Sequence, residues 1–490
     1  LNTQESPIGG DPSFASVADN CVIDKLGRIG ARKGWEAVSS NGAAVLGSSR
    51  GIESVFEYVK RDGTKIVFSA GNNKIFTGTS TLAAVTLPSG YSISANNWKI
   101  VSFNNDVYFF QRGHAALVSV AGSTTLIAVA DGGTAAPAAN EVLAAYGRLW
   151  AADITANKYV VYWSDLLDGD DWHGGSSGSL DLTLVWPTGF DEVVALSAHN
   201  NFLIIFGKKS MIVYSGASAP ASMTLADTVE GVGCIARDSV QHTGTDILFL
   251  SDSGVRSFTR TIQEKSMPMR DISKNVRTDL TSLVPLQTNA IKSVYSADEA
   301  FYLLTLPDSD TTYCFDMRSP LQDGSQRATT WSGLHPLAFT ITEAGDIYFG
   351  LSSGIVEYTG YLDGTANYQM RYFSNPMDFG NASNLKFLKK FNITIIGGQN
   401  TNSTLNWGYD YSTNFTKQVF TLTGSVNAGE YGVSEYNTTA EYTATAIINT
   451  PKVNTSGSGE VVTIGIETEI NDTSFSIQKI DIHALLGRLI

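Results

Sequence analysis

The dominant pattern along the chain is a repeated hairpin: an apolar strand, a polar turn of two to four residues, and a returning strand that is almost wholly aromatic or aliphatic. Seven copies occur. Val55 to Val59 turns at Asp62-Gly63 and returns as Lys65-Ile66-Val67-Phe68. Asn104-Asn105-Asp106 precedes Val107-Tyr108-Phe109-Phe110, and Val142 to Tyr146 turns at Gly147-Arg148 into Leu149-Trp150-Ala151. Asn200-Asn201 leads into Phe202 to Phe206, and Gly244-Thr245-Asp246 into Ile247 to Leu250. The last two turn at Asp298-Glu299, before Phe301 to Leu304, and at Gly345-Asp346, before Ile347-Tyr348-Phe349. With Gly63, Asn105, Gly147, Asn201, Thr245, Glu299 and Gly345 as equivalent positions, the intervals are 42, 42, 54, 44, 54 and 46 residues.

A four-stranded propeller blade takes about 40–50 residues, and its inner strands, buried on both faces, read as unbroken apolar runs. Further strands follow second turns at Met211 to Tyr214, Val255 to Phe258 and Ile355 to Tyr358. The pattern therefore predicts an all-β chain with a β-propeller of about seven blades, six to eight being compatible, over residues 51–378. A stack of β-sandwiches is the competing arrangement, since it also places turns every 8–12 residues or so.

Beyond about Gly360 the pattern becomes one of longer, alternating strands: Phe387 to Ile396, Thr416 to Leu422, Ala440 to Ile448, Val461 to Thr468 and Phe475 to Ile482. Alternation is what a sheet with one wet face requires, so residues 379–490 are expected to form a C-terminal β-sandwich. The boundary is expected near Asp378-Phe379-Gly380, and the last strand is a candidate for closing the ring. Residues 1–50 hold a Ser-Pro-Ile-Gly-Gly segment at 6–10 and a hairpin-forming stretch, Asn20 to Val38, expected to dock on or complete the ring. The two 54-residue intervals, 147–201 and 245–299, are where contact loops are expected.

Composition narrows the function. The 490 residues are 43% hydrophobic and 16% charged, with 46 Gly and 13 Pro, which suits short strands joined by tight turns. A net charge of −14 is the wrong sign for gripping phosphates. Cys21, Cys234 and Cys314 are far apart and form no CxxC pair, so no disulfide framework or zinc site is signalled and a reducing assembly compartment is expected. No apolar run approaches the roughly 20 residues needed to span a bilayer, and Leu1 to Asp11 lack a signal-peptide core. No stable membrane insertion is expected.

Candidate chemistry is sparse. His114, His173, His199, His242, His335 and His483 have no metal-ligand spacing and read as turn or core residues. Gly174 to Gly178 matches GxSxG by letter only, without the strand and helix of a nucleophile elbow, and Gly231-Val232-Gly233 is a bare glycine pair. Asp165, Asp168, Asp170 and Asp171 crowd one loop but lack the EF-hand order, so a solvated turn is expected. Asp298 with Glu299, and Asp308 with Asp310, are turn neighbours of unknown separation. Lys386, Lys389 and Lys390 read as a strand flank or a subunit contact. Trp98, Trp150, Trp163, Trp172, Trp186, Trp331 and Trp407 lie beside strands and are expected in the core. No catalytic residue, cofactor site or metal site is assigned.

Three segments resemble the tail-hub or tail-nozzle proteins of short-tailed phages. These are Asp19 to Asp24 with Gly27 to Trp35, then Tyr162-Trp163-Ser164-Asp165 with Asp170-Asp171-Trp172, and finally Gly233 to Val240 running into Asp252 to Arg256. The resemblance runs in order from about residue 10 to the end, over short, gapped motifs. It implies a non-enzymatic structural protein of the virion tail, assembled in the host cytoplasm. Six copies would form a ring beneath the head-tail adaptor, with contacts to fibre, spike or plug proteins and a channel through which DNA passes without specific binding. The chain is much shorter than the largest nozzle proteins. A carbohydrate-binding or carbohydrate-active propeller is the alternative function, although the sialidase-type Asp box is absent.

Overall fold

A computed structural model describes residues 1–4, 11–48, 51–131, 133–187, 189–264, 271–381, 383–399, 401–423 and 448–489. Each of the seven sequence hairpins is the inner pair of strands of one sector of a closed ring. The innermost strands are Ile52–Val59, Lys99–Phe103, Ala139–Ala145, Val193–His199, Gln241–His242, Lys292–Ser296 and Ala338–Ile341. Six sectors are self-standing sheets, while the sixth in chain order is the inner end of a nine-stranded sheet that runs on into the second domain.

The returning strands are buried over most of their length, as in Val107 to Phe110 and Leu203 to Phe206, because each lies between two neighbouring sheets. Aromatic edges meet across the gaps between blades: Phe68 and Phe109 at 5.2 Å, Phe206 and Phe249 at 5.1 Å. Tight turns at Asn104-Asn105, Tyr146-Gly147 and Asn200-Asn201 have both central residues at positive φ, the handedness that matches strand twist. The 54-residue intervals hold what was expected to be extra: the loop after Trp163 in the third blade, and the helices Phe258–Glu264 and Arg277–Leu283, which follow the three strands of the fifth.

Two expectations are corrected. The strand that completes the seventh blade is Glu36–Ala37, which pairs with Val356 and Glu357, so the N-terminal segment completes the ring as expected and the last strand does not. The last strand, Phe475–Leu489, instead pairs with Asn384–Gly397 along most of its length. The domain boundary also moves: the last ring strand, Gly354–Glu357, is followed by Tyr368–Ser374, already part of the second domain and upstream of 378.

The second domain is a sandwich of two sheets. One continues from the sixth blade: Arg327–Ser332 lies beside Ala15–Asp19, then come Tyr368–Ser374, Val462–Ile470, Thr401–Tyr409 and Thr416–Leu422. The other joins the hairpin Cys21–Ile23/Ile29–Ala31 to Phe475–Leu489 and Asn384–Gly397. Phe391, Ile393 and Ile395 point inward at alternate positions onto Leu405, Trp407, Ile464 and Ile466. Most of the expected Ala440 to Ile448 strand, and the Ser-Pro-Ile-Gly-Gly segment, lie outside the described residues.

Between ring and sandwich runs Arg32-Lys33-Gly34-Trp35, hydrogen-bonded to the crossing segment at 360–364: Gly34 N donates to the Gly360 carbonyl and Trp35 N to that of Leu362. A Cβ on Gly34 would stand 1.9 Å from the Leu362 carbonyl oxygen, a backbone atom with little room to retreat. Gly34→Ala is expected to cost about 1–3 kcal/mol or more, read as a lowered midpoint of urea unfolding.

Candidate functional site

Side chains from several blades converge on the ring axis, and there they are charged. Residues 233–240 leave the fourth blade and turn inward through a short 3-10 turn, Arg237–Ser239, placing Arg237 and Asp238 at the centre. Arg237 Nε and Nη2 donate to the two oxygens of Asp238 at 2.9 and 2.8 Å. Its Nη1 donates to the Asn140 carbonyl at 2.6 Å and its Nη2 to Asn97 Oδ1 at 2.7 Å. Lys292 Nζ lies 2.8 Å from Asp238 Oδ2, and Lys99 Nζ lies 3.8 Å from Asp238 Oδ1 and 3.6 Å from Glu141 Oε2. Glu141 Oε1 in turn accepts from the Leu196 amide. Blades two, three, four and six and the entry to the fifth are thus tied to one knot.

Three cations face two carboxylates, and burial sets their titration. Burial alone would raise the Asp238 carboxyl, but Arg237, Lys292 and Lys99 outweigh it and hold the group well below the usual carboxylate range. Glu141 is pushed the other way: burial raises it, and Lys99 and Arg237 only partly compensate. Its Oε2 has no hydrogen-bond partner. Burial lowers the Lys292 ammonium, and Asp238 opposes that shift. Alongside the knot the axial channel is a cavity of about 190 Å³ whose lining includes Ser54, Phe56, Gln241, Ser293 and Phe339.

A second buried cation holds the joint between the domains. Arg32, 0% exposed, makes two parallel bonds to the Asp363 carboxylate at 2.8 and 2.7 Å and donates from Nε to Asn20 Oδ1. Its guanidinium lies 4.1 Å from the Tyr368 ring centroid, while the Tyr368 hydroxyl donates to the Arg32 carbonyl. Lys33 reaches Glu299 of the sixth-blade turn at 2.7 Å, and Trp331 Nε1 donates to the Cys21 carbonyl.

The residues weighed in the sequence take up structural work. Asp165 accepts from the amide and hydroxyl of Ser176, which lowers its carboxyl to about 2, and Arg148 donates to the same hydroxyl. Ser176, the serine of the GxSxG letters, is therefore part of a loop clasp. Asp168 and Asp171 accept from amides two or three residues ahead. Among the described residues Asp131, Asp171 and His173 form the one three-residue group whose ligand atoms lie within 4.8 Å of one another. Glu299 pairs with Lys33 at 2.7 Å, an ion pair that does not involve Asp298. Asp308 caps Thr288 and Asn289, whereas Asp310 pairs with His335 at 2.5 Å. His199 and His242, distant in sequence, stand 6.4 Å apart near the ends of two inner strands, and Ser197 bonds His242. Of the seven tryptophans named above, six are buried, and Trp172 packs edge-on to Phe110 at 6.0 Å. No helix among the described residues is long and apolar enough to cross a membrane.

All three cysteines are free and buried. Burial lifts the Cys234 thiol to about 11 and raises Cys21 and Cys314 as well. The native protein is therefore expected to leave a thiol reagent unreacted at pH 8 and to yield three equivalents only once unfolded, as followed by absorbance.

No protein-family profile and no curated protein sequence matches the chain. Solved structures do align with it. The extracellular domain of the putative one-component system BT4673 from B. thetaiotaomicron is 10% identical, with 83% of this chain and 59% of that one covered and a TM-score of 0.44. BamB from Moraxella catarrhalis is 11% identical, with 62% and 84% covered and a TM-score of 0.38. YCF48 from Cyanidioschyzon merolae is 11% identical, with 66% and 98% covered and a TM-score of 0.40.

Proposed function

We propose that this chain is a structural subunit of a phage tail nozzle, six copies forming a ring below the head-tail adaptor that lines part of the DNA ejection channel and carries fibres or spikes. The observation that carries the reading is mechanical. One sheet runs from the sixth blade into the sandwich, joined where Asp19 pairs with Thr330, and buried ion pairs tie both the ring axis and the joint between the domains. Such a body changes shape little and offers its loops and sheet faces to neighbours, as a wall element must.

Two of the segments that resemble tail-nozzle proteins reach these mechanical points: Arg32 to Trp35 form the joint, and 233–240 supply Arg237 and Asp238 to the axis, while 162–172 build the third-blade loop. The −14 charge favours a polyanion sliding past without sticking.

The test is a nonsense mutation in the encoding phage, followed by electron microscopy and mass spectrometry of the particles. DNA-filled or leaking heads that carry adaptor but lack tails are expected, with wild-type tails restored by the polypeptide supplied in trans. Intact tails lacking the polypeptide would overturn the assignment. Saturable binding on a glycan array, abolished by changes in the axial cavity, would favour the carbohydrate reading instead.

A further inference from the structure

We propose that the third-blade loop of one copy docks on the sandwich of a second copy, joining subunits head to tail. The inference rests on the ring-subunit reading above and names its contact surfaces. Leu166 and Leu167 stand out from the loop at 52% and 60% exposure. Leu167 is held at φ +58°, a left-handed conformation costly for a bulky residue, by its amide bonding the Gly147 carbonyl and its carbonyl accepting from Asn104. An apolar side chain is thus kept strained and in water, where folding alone gives it no return.

Acids surround this knob. Asp165, Asp168, Asp170 and Asp171 belong to the same loop, and Asp106 and Asp131 come from the second blade and the segment after it. The basic side chains nearby are the buried Arg148, already bonded to the loop, and His173, whose ring lies 3.4 Å from Asp171.

On the sandwich, the ribbon of Asn384–Gly397 and Phe475–Leu489 carries the converse. Phe387 and Leu485 are opposite one another on one face at 38% and 59% exposure. Along the ribbon and its neighbouring short strand lie Lys389, Lys390, Lys452 and Lys479. Only Lys479 has a carboxylate partner among the described residues, Asp481 on the same strand, although Glu460 flanks the apolar end. Lys389 and Lys390 follow closely on Phe387 along the strand, and Lys452 and Lys479 lie further on beside Asn392 and Thr394. In a chain of net charge −14 the ribbon is thus a local inversion of sign that complements the acid-rimmed knob in charge and, at Phe387 and Leu485, in apolar character.

The ring places the two surfaces on opposite sides. Counting round its seven sectors, the second and third blades are each three steps from the sixth, which bears the sandwich. A contact between unlike, opposed surfaces is heterologous and propagates, closing into a ring when the rotation allows.

Mass photometry and sedimentation of the full chain test this with two double variants. Leu166→Ser/Leu167→Gly removes the knob and relieves the left-handed strain, so its melting temperature should not fall. Lys389→Glu/Lys452→Glu inverts exposed charges on the patch. The wild-type chain is expected to self-associate, less in high salt, and each variant to associate at least about tenfold more weakly. Mixing the two variants should restore dimers and nothing larger, because only one intact knob and one intact patch remain to meet. A wild-type chain that stays monomeric at its solubility limit, or variants that assemble as wild type does, would overturn the proposal. Folded variants that fail to recover dimers on mixing would also overturn it. Tailless particles from the nonsense mutant would leave the nozzle reading standing in each of these cases, and intact tails would remove that reading whatever the association result.

Discussion

Replacing Asp238 with alanine should cost about 3–5 kcal/mol, since it removes the one carboxylate bonded to both Arg237 and Lys292 and leaves Arg237, Lys292 and Lys99 crowded around the axis. A buried ion pair contributes little against an apolar substitute of the same shape, but removing one partner leaves charge that neither water nor protein satisfies. Asp238 is the anion that three cations share, so its loss is worse than that of any single cation. Glu141→Gln is the contrasting change. Because burial holds the Glu141 carboxyl above its unfolded value, its ionised form opposes folding at neutral pH, and that penalty disappears as pH falls through its folded pKa. The glutamine variant should be no less stable than wild type at pH 7, with any gain shrinking towards pH 4. Asp238 has the opposite sign. Its contribution is present above the unfolded carboxylate value of about 4 and is lost only as pH falls through a folded pKa well below that. Urea melts at pH 7 and pH 4 check both statements, and equal losses for the two variants would mean that the axial charges do not act as described.

Arg32→Ala should cost a similar 3–5 kcal/mol, and its signature should be uncoupling as well as instability. The guanidinium joins Asn20 to Asp363 and the Tyr368 ring, which lie far from Asn20 in sequence and where ring and sandwich meet. Asp363 would be left without its bidentate partner. Calorimetry of the wild-type chain is expected to show ring and sandwich melting together, and the variant to show the sandwich melting first. Arg32→Lys should recover little, because an ammonium cannot form both bonds to Asp363 while stacking on Tyr368.

The seven hairpins are legible in the sequence for a physical reason. An inner blade strand is buried on both faces, so a run such as Phe202 to Phe206 cannot hide its apolar character behind alternation. Glu36–Ala37, which closes the ring, is two exposed residues long and carries no such mark. Pairing at long range is equally silent. Nothing local announces that Asp19 lies beside Thr330, or Ile29 beside Ile477, and so the N-terminal stretch reads as part of the ring when much of it belongs to the sandwich.

The axial knot had a signal that the apolar reading passed over. Lys99-Ile100-Val101, Glu141-Val142-Leu143 and Lys292-Ser293-Val294 each set a charge at or near the start of an inner strand, where a strand buried on both faces should carry none. Charges of both signs recurring at blade spacing point to a shared axis. The third-blade loop is legible in the sequence as long and acidic, but the left-handed strain at Leu167 is a backbone property that no composition reveals.

The central claim is that axis and joint make ring and sandwich one rigid body. Hydrogen exchange on the intact chain tests it most directly. Amides in Ile29–Ala31, Trp35 and residues 234–240 should be protected to the same degree as the inner strands of the blades. Rapid exchange at the joint, with the blades still protected, would mean two bodies on a hinge and would contradict the account.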